Sequence, residues 1–439
     1  MEGTDKADKG LTRRELLKGS MIGVGGLALG GVGGYLLGSN TGEEVVEGSG
    51  PSGEPIRVVG VFPLTGVVAA DGEEMRNGTI MAIDEINERG GLLGRPIEYI
   101  EIDDGDSFTE DIVNAFRRAV DIENPDLIVS GFHLATGPEF DIVADAGLLY
   151  FNLNTQTAWI DRYRSDPDRY WGIFQVDPTE AWYGIGFARW MNDLIDSGTL
   201  PGAKRTAILG ADDPYGASIT SYFEASIQEL GWEVTAKETF TPGQVSDWGP
   251  LLSQVRQDDV TLLFTTTFSP AGNAAMAQQF VENPMPAVVY QQYGPSVPEY
   301  LELAGDAAEG IIWSTVLGRL PDSIGQAWVS SYEAKFGATP GWANAPGNYD
   351  VINTWARAVL LSGDPNDYEG VARATEGVLH RGITGGISFD DHTGLQYPDQ
   401  TQDPTVGQPM IIVQIQDGQH RVISPEPYTD GEFQVPPWV

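Results

Sequence analysis

Ile56-Arg-Val-Val-Gly-Val-Phe62, the loop Pro63-Leu-Thr-Gly-Val-Val-Ala-Ala-Asp71, and the run from Gly72 to Arg89 closed by Gly90-Gly91 decide the fold. The first piece is almost continuously apolar, the pattern of a strand covered on both faces in a parallel sheet. The third places Met75, Thr79, Ala82, Ile83 and Ile86 on one helical face, and its paired glycines end the helix. Strand then helix is the unit, and the chain repeats it. Ile97 to Ile102 reads as the next strand, and Ser107-x-x-Glu110 is a capping box opening a helix to about Ile122. Leu127 to Ser130 and Leu149 to Asn152 follow as strands.

The alternation restarts after Val176. Helices are expected at 179–195, 215–230, 247–256 and 271–282, with strands at 205–209, 233–238, 261–266 and 287–290 between and after them. Two doubly wound α/β lobes with parallel sheets account for the pattern. Such sheets bind ligands beyond the carboxyl ends of their strands, where helix N-termini offer free N–H groups. The loops that matter are therefore 63–71, 131–136 and 152–157 in the first lobe, and 211–216, 267–270 and 291–294 in the second.

The chain has 439 residues, 63 acidic against 25 Lys and Arg, a net charge of −38, and no cysteine. Beyond the N-terminal segment only Lys204, Lys237 and Lys335 remain as lysines, and the acids are dispersed rather than gathered into a tail. An excess of this size repels itself unless molar salt shortens the Debye length to about 3 Å, so the source is read as halophilic, in all expectation haloarchaeal. Nucleic acid and anionic membrane surfaces are excluded as partners, because phosphate binding needs a basic face. Without cysteine there is no disulfide framework, and the lobes must be held by their own cores.

Arg13-Arg14 precede the glycine-diluted apolar run Met21 to Leu37, the pattern of a twin-arginine export signal. Residues 1–38 are read as that signal or as a retained N-terminal anchor, placing the protein on the extracellular face of the cytoplasmic membrane. Residues 39–55, rich in Gly, Ser and Glu, read as a disordered tether.

Four strings then stand in a telling order: Pro63-Leu-Thr-Gly66, Ala82-Ile-Asp-Glu-Ile-Asn-Glu-Arg-Gly-Gly-Leu-Leu-Gly-Arg95, Asp212-Asp-Pro-Tyr-Gly216 and Ala304-Gly-Asp-Ala-Ala-Glu-Gly310. Together they resemble the branched-chain amino acid binding proteins of ABC importers, from about Ile56 to Gln416. The resemblance implies the type I periplasmic-binding-protein fold, with two lobes joined by a three-strand hinge and closing on a small solute. It implies a first lobe of 56–176 plus 316–390 and a second of 177–315 plus 391–439. Helices at 321–336 and 348–361 would belong to the first lobe, and a strand near 410–414 to the second. The implied function is capture of a branched-chain or other amino acid and delivery to a membrane permease, without cofactor, metal or catalysis. An amide or urea binding protein of the same transporter class, or a ligand-sensing receptor subunit, is the alternative.

The resemblance also implies binding positions. The ligand carboxylate would meet Ala135, Thr136, Asn154, Gln156 and Thr157, and aromatic contacts would come from Tyr215 and Phe268. Where amino-acid binders pair the ligand ammonium with a carboxylate, this chain has Tyr293. Either Asp71 or Asp212 substitutes, or the ligand lacks that charge.

Plainer roles stand beside these. Tyr215 could pack its ring at a helix start, and Thr136 could be a helix N-cap. Asp103-Asp-Gly-Asp106 lacks the ligand spacing of a calcium loop and is expected to cap the following helix. His133 is one of four histidines without metal-ligand spacing and is expected to make a hydrogen bond. The aromatics at 159, 163, 170, 171, 182 and 183 form either a stacking wall or interlobe packing. Enzyme signatures are missing: no Gly-x-Ser-x-Gly elbow, no phosphate loop, no His-Glu-x-x-His and no thiol.

Two outcomes are expected. Replacing Arg13 and Arg14 together by lysine should abolish surface material in fractionated cells, and undiminished export would refute the twin-arginine reading. Circular dichroism from molar salt down to ~0.1 M should show loss of structure, and a melting temperature indifferent to salt would contradict the screening requirement.

Overall fold

The structure, a computed structural model, describes residues 52–66, 68–135, 137–256, 259–394 and 407–439. The expected signal and most of the tether lie outside these residues. The end of the tether does not: Ser52 N–H donates to the Gly94 carbonyl (2.8 Å) and Arg95 Nε donates to the Glu54 carbonyl (2.8 Å). Residues 52–55 are thus part of the fold, because Arg95 gathers their carbonyls.

Strand β1 (Ile56–Phe62) leads to helix α1 (Ala69–Glu88), then β2 (Ile97–Asp103), α2 (Thr109–Arg118), β3 (Leu127–Ser130), α3 (Pro138–Ala146), β4 (Tyr150–Asn152), α4 (Thr157–Ser165) and β5 (Ile173–Gln175). The chain continues with α5 (Ala181–Asp196), β6 (Arg205–Ala211), α6 (Pro214–Glu229), β7 (Glu233–Phe240), α7 (Gly249–Val255), β8 (Leu262–Thr266), α8 (Pro270–Glu282), β9 (Val288–Gln291), the short α9 (Glu299–Ala304) and β10 (Ile312–Thr315). Helices α10 (Ser323–Phe336), α11 (Asn344–Ser362) and α12 (Tyr368–Glu376) precede short strands β11 (His380–Arg381), β12 (Gly386–Ile387), β13 (Phe389–Asp390) and β14 (Thr393–Gly394). The antiparallel pair β15 (Ile411–Gln416) and β16 (Gln419–Ser424) comes last.

Each lobe is built on one seven-stranded sheet. The first runs β2-β1-β3-β4-β5-β14-β13 and the second β7-β6-β8-β9-β10-β15-β16. The five leading strands of each are parallel and take the same order, with the reversal between the first and third strands, where ligand crevices open. The inner strands β1, β3, β8 and β9 are buried almost throughout, which explains their continuous apolar runs, whereas the edge strands β2 and β7 are partly exposed. In the second lobe Phe223 stacks flat on Phe264 at 3.7 Å between centroids, and Tyr290 continues the stack at 4.7 Å.

After β10 the chain returns to pack on α1. Asn77 Nδ2 donates to Tyr332 Oη (3.2 Å), Tyr349 Oη donates to Glu85 (2.7 Å), and Lys335 pairs with Asp84 (2.7 Å). A Cβ on Gly78 would lie 2.0 Å from the Ala345 carbonyl oxygen, so only glycine lets α1 and α11 approach this closely.

Several details depart from the expectations. The first sheet includes Thr393–Gly394, beyond the expected crossing at 390, because Thr393 pairs in parallel with Gln175. Ser107 does not cap α2: its hydroxyl donates to Asp104 Oδ2 (2.9 Å), and Asp111 accepts from the Phe108 N–H instead (3.4 Å). Asp103 likewise does not cap that helix. Its carboxylate takes the N–H groups of Leu64, Thr65 and Gly105 and the Thr65 hydroxyl, so it holds the loop after β1. Trp159 packs on Phe140 (4.6 Å) and edge-on against Tyr170 (5.7 Å) inside the first lobe, which makes it core rather than a cleft wall.

Candidate functional site

The loops beyond the strand ends converge where the two lobes face each other. Asp71 lies in the first turn of α1, where the helix dipole favours a negative charge. A Cβ on the next residue, Gly72, would lie 2.1 Å from the Pro63 carbonyl oxygen, so the helix start presses on the preceding loop. Opposite stands Tyr293, just past β9, with its backbone at φ 56°, a left-handed conformation that a bulky residue adopts only under constraint. That conformation turns the ring toward the first lobe. Tyr293 Oη donates to Asp71 Oδ1 (2.8 Å), Asn344 Nδ2 at the start of α11 donates to the same oxygen (2.7 Å), and Asn344 also reaches Tyr293 Oη (2.9 Å). Phe132 meets the Tyr293 ring edge-on at 6.3 Å.

The second wall follows from α6. Asp213 caps this helix, accepting from the N–H groups of Tyr215 and Gly216 (both 3.0 Å), with Pro214 at its first position. The cap aims Tyr215 at the cleft. Its hydroxyl accepts from Gln292 Nε2 (2.9 Å), and its ring stands edge-on to Tyr183 at 6.4 Å. Phe268 packs against the main core beside this wall. Asp212 faces elsewhere, accepting from the Thr241 hydroxyl (2.7 Å) at the surface. Of the two acids expected to stand in near Tyr293, it is Asp71 that does.

The first-lobe positions expected to receive a carboxylate look different. Thr136 lies outside the described residues. The Ala135 N–H donates to the Ser107 carbonyl (3.1 Å), the Gln156 N–H to Gln175 Oε1 (2.8 Å), and the Thr157 N–H to Glu180 Oε2 (2.6 Å). Those amides are therefore not free donors, contrary to the expectation. Asn154 is bound inside its lobe, accepting from the His133 N–H (3.0 Å) and donating to Asn152 Oδ1 (3.1 Å). His133 Nδ1 sits 2.8 Å from Asp104 Oδ2 and 3.2 Å from Ser107 Oγ, tying the loop after β3 to the loop after β2.

Sequence reading missed two acids at the first crossing between lobes. Glu180 accepts from Thr157 of the first lobe and, through Oε1, from the Ser218 hydroxyl of α6 in the second (2.9 Å). Asp177 is fully buried, with its own N–H and that of Thr155 acting on its carboxyl group. Asn344 was missed as well, and Gln292 and Phe132, though inside the expected loops 291–294 and 131–136, were not singled out. In so acidic a chain another Asp or Glu carries no signal, and only the position of 177–180 directly after β5, at the first crossing, could have marked them.

Burial governs the proton affinities. It pushes the Asp71 carboxyl up from 3.8 to about 6, against the hydrogen bonds from Tyr293 and Asn344. Burial also raises Glu180, which Ser218 and Thr157 partly offset, and raises Asp177 well above the usual carboxylate range. The Tyr215 hydroxyl is pushed up by burial first, then by Tyr183, Tyr293 and Glu180 around it.

Two α/β lobes whose strand ends face each other across a narrow polar and aromatic cleft define a clam-shell binding protein. The sequence profile of the periplasmic binding protein family matches residues 55–419, and the chain belongs to that family. Its fold is the type I periplasmic-binding-protein fold. Among curated proteins it is 25% identical over 327 residues to the Leu/Ile/Val-binding protein BraC3 of Rhizobium johnstonii, covering 72% of this chain and 81% of the relative. A putative branched-chain amino acid ABC transporter protein from Silicibacter pomeroyi superimposes with a TM-score of 0.83 at 34% identity, over 88% of this chain and 100% of that one. The substrate binding protein LivJ of Streptococcus pneumoniae, in complex with isoleucine, gives a TM-score of 0.70 at 19% identity, over 85% and 100% of the two chains.

The raised Asp71 carboxyl makes a signed expectation. The folded chain holds this proton up to about pH 6, whereas the unfolded chain releases it near 3.8. The group's contribution to stability is thus complete at low pH and is lost as pH climbs through that window. In thermal melts at constant molar salt, the melting temperature of Asp71→Asn relative to the parent should be more favourable at about pH 7.5 than at about pH 4.5. A difference that does not change with pH, or changes the other way, would refute the assignment.

Proposed function

We propose that this protein is the extracytoplasmic solute-binding component of an ABC importer, which traps an amino acid between its lobes and hands it to a membrane permease. The observation that carries this reading is the Asp71–Tyr293–Asn344 triangle, which joins both lobes at the mouth of their facing strand ends. Because this contact joins the two lobes, a solute that touches both walls favours the same closed arrangement. The Rhizobium relative is named for leucine, isoleucine and valine, and the Streptococcus structure holds isoleucine; both support an amino acid as the solute class.

The lobes are taken as 56–176 with 316–394, and 177–315 with 407–439. Export through Arg13-Arg14, with residues 1–38 as signal or anchor, completes the assignment and places the cleft outside the cytoplasmic membrane. The protein acts by binding and release, and we assign no catalytic residue.

Binding is contributed by Asp71 and Tyr293, flanked by Phe132, Tyr215, Gln292 and Phe268. Tyr215→Ala should weaken binding about tenfold to a hundredfold, the loss of a ring contact and a hydroxyl worth on the order of 1–3 kcal/mol. A thermal-shift panel of amino acids in molar salt identifies a ligand, and calorimetry on the folded variant measures the change. Unchanged affinity would move the site away from this wall.

A further inference from the structure

We infer that the two lobes carry their own latch: the turn 293–296 of the second lobe is gripped at both ends by residues 71 and 342–344 of the first, and this grip holds the chain closed before any solute arrives. The inference goes beyond solute capture, since it concerns the protein with an empty cleft.

The contacts across the cleft are made by the chain alone. At one end of the turn Tyr293 Oη donates to Asp71 Oδ1 (2.8 Å) and accepts from Asn344 Nδ2 (2.9 Å). At the other end the Ser296 carbonyl accepts from the Trp342 N–H (3.1 Å). Trp342 is itself fixed in the first lobe: its carbonyl accepts from the Arg319 N–H (2.8 Å), and the Arg319 guanidinium lies over its ring at 3.9 Å. Asp71, Tyr293, Ser296, Trp342 and Asn344 are all buried. Opening the lobes separates these donors from their acceptors, so the hydrogen bonds favour the closed arrangement with no solute in it.

The turn is built to present those groups. Tyr293 has φ 56° and ψ −51°, and the Gly294 N–H donates back to the Gln292 carbonyl (2.7 Å), the form of γ-turn that is rare and strained. Such a conformation persists only where its surroundings impose it. The second lobe imposes part of it: the Ser296 N–H donates to the Tyr293 carbonyl (2.7 Å), and a Cβ on Gly294 would collide with the Asn273 amide, which donates to the Thr267 carbonyl (2.9 Å). The first lobe imposes the rest, through Asp71, Asn344 and the edge-on ring of Phe132. On the receiving side Asp71 and Asn344 sit at the starts of α1 and α11, whose close approach Gly78 permits, and Asn344 Nδ2 bridges to Asp71 Oδ1 (2.7 Å). Both halves of the latch are thus preorganised, and joining them orders little that was free. A solute enters only while the latch is broken, and its binding adds to a closure that the chain already favours.

Because the chain has no cysteine, a pair of introduced cysteines takes spin labels at those two positions alone. Glu110→Cys on α2 and Ala225→Cys on α6, both exposed, place one label on each lobe. Electron–electron distances are read in molar salt on chain stripped of solute by unfolding and refolding. We expect the solute-free parent to show one dominant distance, that of the closed structure. Tyr293→Phe, which keeps the ring and loses the donor, should lower the ratio of closed to open form at least ~fivefold. Asn344→Ala removes the bridging amide and should act in the same direction, so it carries the test where Tyr293→Phe does not fold. A solute-free parent whose main distance is longer than that of the closed structure would overturn the latch. So would a variant with a distribution identical to the parent's. The distances are measured with no solute present, so an open solute-free parent leaves amino-acid capture standing, and a panel in which no amino acid binds leaves the latch standing.

Discussion

Closing two lobes over a cleft places a carboxylate where water cannot solvate it, and the arrangement around Asp71 answers that constraint. Donors arrive from two directions: the phenol of Tyr293 from the second lobe and the amide of Asn344 from the returning helix of the first. Tyr293 and Asn344 lie 222 and 273 positions from Asp71 along the chain, so their meeting depends on the folding of both lobes and on their approach. The left-handed backbone at Tyr293 is the local consequence, since an extended residue at the end of β9 would not point its ring at the opposite wall.

Around this contact the rest of the cleft is arranged as two walls of like construction. The five leading strands of both sheets take the same order, so corresponding loops confront each other. Polar side chains behind the surface fix those loops. Asp103 holds the loop after β1, Asp104 with His133 joins the loops after β2 and β3, and Asp213 sets the start of α6. The surface that meets a solute is thereby supported by hydrogen bonds rather than by side chains free to rearrange, which preserves the positions on which selectivity depends.

Much of the architecture was legible because parallel strands in a two-layered cover are continuously apolar. The runs 56–62, 127–130 and 205–209 needed only that signal. Strands Ile173–Gln175 and Ile312–Thr315 escaped because they are only three and four residues long and carry Gln, Ser and Thr among their apolar positions. Helix Thr157–Ser165 escaped because its arginines and aspartate interrupt any apolar stripe. At the site, Asp71, Tyr215 and Tyr293 could be named from short motifs. The amides of Ala135, Gln156 and Thr157 could not be recognised as engaged, since their acceptors are distant in sequence. Ser107 showed the same weakness: the spacing of a capping box was present, but a buried aspartate and histidine claimed the hydroxyl.

The order of the strands has a consequence for how the molecule comes into being. The first sheet is finished by β13 and β14 and the second by β15 and β16, so the first lobe lacks strands until synthesis has passed Gly394 and the second until it has passed Ser424. A nascent chain on the ribosome therefore cannot finish one lobe and then begin the other. Both are completed close together, once Gly394 and Ser424 have emerged, which makes assembly of the two halves a single joint event rather than a sequence of independent ones.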